Sequence, residues 1–422
     1  MTGNESISNA YRRAKEKYSR LGVDPDAALE HLAAINLSLH CWQGDDVGGF
    51  EKPGAAITGG GIQATGNHPG KAKSIDQLRR DMEKVYALLP GNHRFNMHAS
   101  YGDFGGKFVD RDAIEPRHFT SWVEWAREHK LGLDFNCTCF SHPKADNGFT
   151  LSHPDEEIRE FWKEHVKRAR AVSDYMGKST GSRTIHNIWV PDGTKDLTVN
   201  RYYHRELLRD SLDEIMETDY PAEHMADSVE SKLFGIGSEA YVVGSHEFYM
   251  GYGLSRNKMI CIDMGHYHPT EQVGDKISSL FTFVDELMFH FSRGLRWDSD
   301  HVVILNDDLN QVTHEIVRAD ALSRVNVGLD FFDASINRVG AYVLGARATQ
   351  ISFLKALLEP RELLRKYELE GRGYEKLALM EEAKLLPFND VWNYFCAREE
   401  VPAGTDLINE VARYEKEVLL TR

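Results

Sequence analysis

Trp297-Asp298-Ser299-Asp300 sets two carboxylates two positions apart, and the upstream stretch Asp263-Met264-Gly265-His266 adds a third carboxylate and an imidazole. Carboxylates suit hard divalent cations, and an added imidazole moves the preference toward manganese, iron, cobalt or zinc. A single D-x-D says little. Further residues obey the same placement at the end of an apolar run: Glu230 with Lys232 two residues on, His290 in Leu-Met-Phe-His-Phe, and Asp330. Five carboxylates and two imidazoles would then converge. Two divalent cations supply +4 against −5, and Lys232 cancels the remaining charge. That balance favours two metals over one. Paired metals stand about 3.5–4 Å apart, close enough for a bridging carboxylate, and Asp263 is central in the set.

Each residue alone has a plainer reading. A lone Asp at a strand end is most often a cap or turn former. Asp298 and Asp300 would suit a solvated turn, His290 a hydrogen-bonded core histidine, and Glu230-Ser231-Lys232 a surface ion pair. Joint placement on neighbouring strands argues against all of these, because independent turns need not collect in one place.

The elements that must position these groups follow from periodicity. Apolar or β-branched runs mark strands at Ile35–His40, Arg94–His98, Leu131–Phe135, Ile185–Val190, Ser228–Lys232, Met259–Asp263, Leu287–Phe291 and Val325–Asp330. Arg296–Val303 is the alternative seventh strand, but the loop reading leaves Asp298 and Asp300 free for chemistry. Helical segments intervene, most clearly at Ser74–Leu89, Arg117–His129, Asp155–Met176, Arg201–Met216 and Gln311–Leu322. Asp155 follows a proline, and Glu156-Glu157 fill the first turn of its helix. Eight alternations predict a (β/α)8 barrel of the TIM type, with active-site residues at the C-terminal ends of the strands. The barrel domain is expected over residues 1–345, with a helical extension over 346–422 carrying helices at Leu354–Leu358, Arg361–Leu369, Tyr374–Leu385 and Leu407–Leu420. Residues 54–71 form a long loop after the first strand, with glycines at 54, 59, 60, 61, 66 and 70. No GxGxxG occurs there, so a lid on the active-site face is the better reading, its glycines permitting motion.

Composition excludes several classes. With 41% hydrophobic and 27% charged residues in 422, the chain reads as an ordinary soluble protein with a sizeable core. A formal charge of −15 argues against nucleic-acid and anionic-membrane partners. No apolar run approaches the roughly 18 to 20 residues that span a bilayer. The polar start MTGNESISNAYRR lacks the apolar core of a signal peptide. Five sparse cysteines fit reduced thiols, so the expected compartment is the cytoplasm. Cys137 and Cys139 form a lone C-x-C, which makes a thiolate zinc site a poor reading. Elsewhere, His98 at the end of the second strand is a candidate general acid or base. Trp42 and Trp189, ending the first and fourth, are candidate platforms for a sugar ring, while His186, Cys41 and Met97 read as core.

The chain also resembles the L-rhamnose isomerase family over essentially its whole length. The resemblance rests on Leu39-His40-Cys41-Trp42-Gln43-Gly44-Asp45-Asp46-Val47, Thr58–Lys71, Leu133-Asp134-Phe135-Asn136, Phe140-Ser141-His142-Pro143 and Asn187-Ile188-Trp189-Val190-Pro191-Asp192-Gly193. It continues through Val229–Gly237, Gly265–Glu271, Arg296–Val303 and Gly328–Arg338. It implies a (β/α)8 barrel, usually a homotetramer, that interconverts L-rhamnose and L-rhamnulose with divalent metal, typically Mn2+. By the same resemblance Glu230, Asp263, His290 and Asp330 look like a structural metal site. His266, Asp298 and Asp300, with a shared carboxylate, look like a catalytic one, and Lys232 like the contact to the substrate oxygen.

The implied chemistry opens the aldose and moves hydrogen between C2 and C1. Similarity to the xylose isomerase group favours a metal-assisted 1,2-hydride shift over an enediol, with Asp330 holding the water that carries the hydroxyl proton and His98 assisting ring opening. Ile57 and Ile62 in the lid are candidates for an apolar wall against the C6 methyl. Such a wall discriminates against a hydroxyl by only about a hundredfold, so activity on L-mannose, L-lyxose or D-allose is expected, and one of these could be the preferred aldose. Two other readings compete. Asp298-Ser299-Asp300 could be the manganese-binding motif of a glycosyltransferase, or the barrel could bind sugar without catalysis.

Overall fold

The structure is a computed structural model that describes residues 3–51, 64–233, 240–296 and 298–422. Eight runs of the sequence become parallel strands: β1 (Leu37–His40), β2 (Arg94–His98), β3 (Gly132–Asn136), β4 (Thr184–Trp189), β5 (Met225–Glu230), β6 (Met259–Asp263), β7 (Leu287–Phe291) and β8 (Val325–Leu329). They close into one barrel in chain order, β8 pairing with β1. Among the described residues a separate two-stranded pairing joins Gly193–Thr194 to Tyr241–Val242. No described helix is long and apolar enough to cross a membrane.

Side-chain alternation along each strand decides what faces the barrel axis. Phe95, Met97, Leu133, Phe135, Val229, Ile262, Phe289 and Leu329 belong to the main core between strands and helices. The intervening positions point inward. Ile185, Met259, Cys261 and Met288 make a small second cluster, while Glu230, Asp263 and Asp330 stand at or just beyond the strand ends.

Fourteen α-helices lie among the described residues. Those that flank the barrel are α3 (Ile75–Tyr86), α4 (Thr120–Glu128), α5 (Glu156–Thr180), α6 (Arg201–Ile215), α7 (His246–Arg256), α8 (Gly274–Phe281), α9 (Asp307–Arg318) and α10 (Arg338–Leu357). Two N-terminal helices precede them, α1 (Gly3–Ser19) and α2 (Pro25–Ala33), and four follow: α11 (Arg361–Leu369), α12 (Gly373–Ala383), α13 (Phe388–Arg398) and α14 (Gly404–Glu417). The Asp155 carboxylate caps α5 by accepting from Glu157 N at 2.9 Å, and Gly181 at φ +66° ends the helix.

Several expectations need correction. α9 starts four residues before the sequence reading, because Asn306 caps it by accepting from Leu309 N at 3.0 Å and Asp307-Asp308 occupy its first turn. β5 begins at Met225 and ends at Glu230, so Lys232 lies past the strand, its N–H bonded to Gly244 O at 3.1 Å. The seventh strand is Leu287–Phe291 as expected, and the alternative Arg296–Val303 supplies only His301, in an isolated bridge to Arg293, and no strand among its described residues. The position 345/346, where a domain boundary was expected, lies inside α10. α13 was not anticipated; it docks on α1, where Tyr394 stacks on Tyr11 with ring centroids 3.9 Å apart.

α10 ties the parts together. Its Arg338 pairs with Asp46 at 2.7 Å and donates to His68 O and Pro69 O, Tyr342 donates to His40 O, and Arg347 donates to Leu88 O and Pro402 O. The segment from Thr65 to Gly70 is fastened to it. Thr65 bridges to Asp333, and His68 N donates to Ala334 O at 2.8 Å. A Cβ on Gly66 (φ +123°) would come within 2.3 Å of the Ala334 backbone, and one on Gly70 (φ +92°) within 2.6 Å of Leu419. At these two positions glycine serves close packing rather than motion. The earlier part of the expected lid, 54–63, lies outside the described residues.

Candidate metal centre and active site

Adjacent strands β5 to β8 carry the charged groups to one place. Glu230, Asp263, His290 and Asp330 offer ligand atoms all within 4.8 Å of one another, and so do Asp263, His266 and Asp298. Asp263 belongs to both sets, the position expected of a bridging carboxylate. A third grouping puts Cys261 beside Glu230 and His290, but burial pushes that thiol up to about 12, so it stays protonated.

In the first set, His290 Nδ1 faces Glu230 Oε2 at 3.3 Å, Asp330 Oδ2 at 3.4 Å and Asp263 Oδ2 at 3.8 Å. Asn187 on β4 donates to Glu230 Oε2 at 2.5 Å, and Trp42 Nε1 donates to Asp330 Oδ1 at 2.9 Å. Gly328 sits opposite His290 in register, and a Cβ there would press within 3.1 Å of the imidazole. In the second set, His266 Nε2 lies 3.2 Å from Asp298 Oδ2, which also accepts from Lys232 Nζ at 2.6 Å. Asp263 Oδ1 accepts from Gly265 N at 2.6 Å and Ser292 Oγ at 3.0 Å.

The electrostatics are those of crowded, buried carboxylates only partly offset by Lys232, His266 and His290. Burial, reinforced by Asp330, Glu230 and Asp298, pushes Asp263 up to about 8. Burial and the neighbours Asp298 and Asp330 push Asp300 well above the usual carboxylate range, and burial raises Asp330. Burial opposes charge on Glu230 and Asp298 too, yet His290 and His266 hold Glu230 near 2, and Lys232 and His266 hold Asp298 low. His266 rises to about 9 because Asp263 and Asp298 outweigh its burial.

The residues present fit divalent cations. Asp263 Oδ2, Asp298 Oδ1 and His290 Nε2 are buried without hydrogen-bond partners, and such atoms are costly unless something satisfies them. A Cβ on Gly265 would stand 2.8 Å from Asp298 Oδ1 and 2.9 Å from Ser292 Oγ, crowding the space between these groups. All-oxygen and imidazole donors suit the harder divalent metals.

Asp300 joins neither convergent set, although Asp298, Asp330 and Asp263 act on it electrostatically. Asp298 is thus grouped with a histidine and a distant strand end rather than with its D-x-D partner, which speaks against a glycosyltransferase motif. His98 faces Thr138 Oγ1 at 3.2 Å, its ring 4.7 Å from Trp42 and 5.4 Å from Phe140. Burial, with Arg111 and His290 nearby, pulls it down to about 3, so it is a neutral imidazole. Trp189 carries the Lys232 ammonium over its ring at 4.4 Å. Ile57 and Ile62 lie outside the described residues, as does Trp297. Sequence reasoning gave no role to Asn187, Ser292, Thr138 or Phe140, although Asn187 and Phe140 stand in stretches that carry the family resemblance.

Comparison with known proteins follows the same line. A family model described as L-rhamnose isomerase (RhaA) matches residues 5–422. The chain is 56% identical to L-rhamnose isomerase of Bacteroides thetaiotaomicron over 422 residues, all of both chains. It is 55% identical to that of Listeria innocua, covering 99% of each chain. It is 54% identical to that of Rhodopirellula baltica, covering 99% of this chain and 97% of that one.

Proposed function

The chain belongs to the L-rhamnose isomerase family, and from that premise we propose that it converts L-rhamnose to L-rhamnulose with two divalent ions, Mn2+ by preference, bound per chain. One observation carries the two-ion reading: two convergent ligand sets share Asp263. Glu230, Asp263, His290 and Asp330 would hold one ion. His266, Asp298 and Asp263, with Asp300 alongside, would hold the other. Bound divalent cations polarise the sugar carbonyl and hydroxyl oxygens as Lewis acids.

The protein's own groups do the rest. His98, neutral across the physiological range, accepts the anomeric hydroxyl proton as the ring opens. Lys232 is held charged by Asp298 and Asp300 despite its burial, and its ammonium stabilises negative charge on O1. Asp330, fixed by Trp42 Nε1, would hold the water that carries the hydroxyl proton. Trp42 and Trp189 shape the apolar side of the pocket. Hydrogen passes from C2 to C1 as hydride. With C2-deuterated rhamnose, deuterium retained at C1 supports this, and loss to solvent means an enediol.

Cytoplasmic location and a homotetramer complete the proposal. Apolar side chains left exposed near α6 (Leu197, Val199, Tyr202) and on α11–α12 (Leu369, Tyr374, Leu377) support self-association. The deciding experiment is ketose formation from L-rhamnose by EDTA-stripped protein with and without Mn2+, then on L-mannose, L-lyxose and D-allose. Rhamnulose formed only with metal is the expected result. No ketose from any of these sugars, with metal bound, would overturn the assignment and favour a binding barrel.

A further inference from the structure

β5 and β6 end side by side, and a histidine outside the ligand sets clips their loops together. Ser231 Oγ donates to His246 Nδ1 at 2.6 Å, and His246 Nε2 donates to the backbone carbonyl of His266 at 2.8 Å. In return, His266 Nδ1 donates to the backbone carbonyl of Ser231 at 2.8 Å. The links close a ring. Carbonyl oxygens only accept, so the ring fixes both imidazoles: His246 carries its proton on Nε2, and His266 carries one on Nδ1 and turns Nε2 toward Asp298.

His246 is itself well held. It opens α7, its ring stacks on Tyr267 with centroids 4.0 Å apart, and the Lys276 ammonium lies over that tyrosine. Two residues earlier, Gly244 O accepts from Lys232 N at 3.1 Å. One short segment therefore sets the backbone on both sides of Ser231 and the direction of His266.

We propose that His246 is a positioning residue that aims His266 Nε2 at the ion shared with Asp298 and Asp263. The inference rests on the reading of His266 as a metal ligand. Outer hydrogen-bond partners of ligating histidines govern tautomer and ring direction, and their loss costs about 10–100-fold in metal affinity.

The test is Mn2+ titration of the stripped full-length protein by calorimetry, comparing wild type with His246→Phe, His246→Gln, Ser231→Ala and His266→Ala. Phenylalanine keeps the stack on Tyr267 and deletes both bonds; glutamine can restore them. The expected result is two ions in wild type and one in His266→Ala. In His246→Phe one of the two affinities falls by about 10–100-fold and the other is unchanged, and His246→Gln recovers most of the loss. Ser231→Ala, which breaks one link, weakens the same ion and guards against misfolding of the phenylalanine variant. Wild-type affinities at both ions in His246→Phe and Ser231→Ala would overturn the proposal, as would equal weakening of both ions. If His266→Ala still bound two ions at wild-type affinity, the ligand reading itself would fall, and that result is separate from the first.

Discussion

Glu230, Asp263, His290 and Asp330 line the barrel mouth from β5 to β8, while Trp42, His98, Phe140 and Trp189 belong to the ends of β1 to β4. The first side is held by charge. Its carboxylates are split between groups pushed up, such as Asp263, and groups pulled down, such as Glu230, and several buried ligand atoms have no partner. The second side is held by shape. Its rings meet edge to face or tilted, as Phe140 does against His98 and Trp189, and His98 is neutral. One half of the site is built from crowded carboxylates and imidazoles; the other is built mainly from packed rings, with Trp189 Nε1 the one unpaired buried polar atom among those four side chains.

Chelation should separate the halves most sharply. Activity should vanish, and the stripped protein should become sensitive to pH. Asp263 rises from 3.8 to about 8, which favours its protonated folded form, so a penalty absent below 3.8 grows as pH rises to 8. His266 rises from 6.5 to about 9, so its contribution is fully present below 6.5 and is lost as pH climbs through 9. Both slopes agree between pH 6.5 and 8. Glu230, lowered from 4.5 to about 2, loses its contribution only in acid and does not oppose them. Thermal melts of stripped protein should therefore show Tm falling from pH 6.5 to 8, with Mn2+ restoring more at pH 8. A flat or rising Tm would contradict this.

Asp263→Asn comes next. It alters the group common to both ligand sets, and kcat/KM for rhamnose should drop by about 10^3-fold or more, in line with the loss of a major electrostatic stabiliser. Calorimetry should show both ions weakened. If one ion keeps its affinity, Asp263 is not a bridge.

His98→Asn probes the other half. Loss of a general base costs about 10^2-fold or more in rate, so kcat should fall by about that much while both Mn2+ affinities stay unchanged. A shift in metal affinity would mean that the halves are not separable. The smallest effect is expected for Trp42→Phe, which keeps the ring but removes the bond from Nε1 to Asp330 across the seam between β1 and β8. A hydrogen bond to a charged group contributes about 1.5–3 kcal/mol, and much of that is recoverable by water, so a several-fold loss in kcat is the expected reading.

The same contrast explains what was legible in the sequence. Strand ends announce themselves, because an apolar run that stops at Asp263 or Asp330 marks both the strand and the candidate ligand. Six of the seven expected ligands fall in the convergent sets, and Asp300 stands beside them. What stayed hidden depends on contacts without a period. His246 is an ordinary histidine at a helix start until Ser231 and His266 are placed next to it. Asn187 is an inward residue on a buried strand, and nothing local reveals that Glu230 lies opposite its amide. The start of α9 lies four residues before Gln311, where Asn306 caps it and Asp307-Asp308 suit a first turn. α10 runs across 345/346, and its buried residues look alike on both sides of that position.

The fastening of Thr65 to Gly70 has a consequence for loop engineering. An exchange of the preceding segment has a natural downstream suture just before Thr65. Past that point the backbone rests on Ala334, Arg338 and Leu419, so a transplant that carried its own residue in place of Gly66 would push against β8's exit. Donor sequence should end there, and the native glycine should stay.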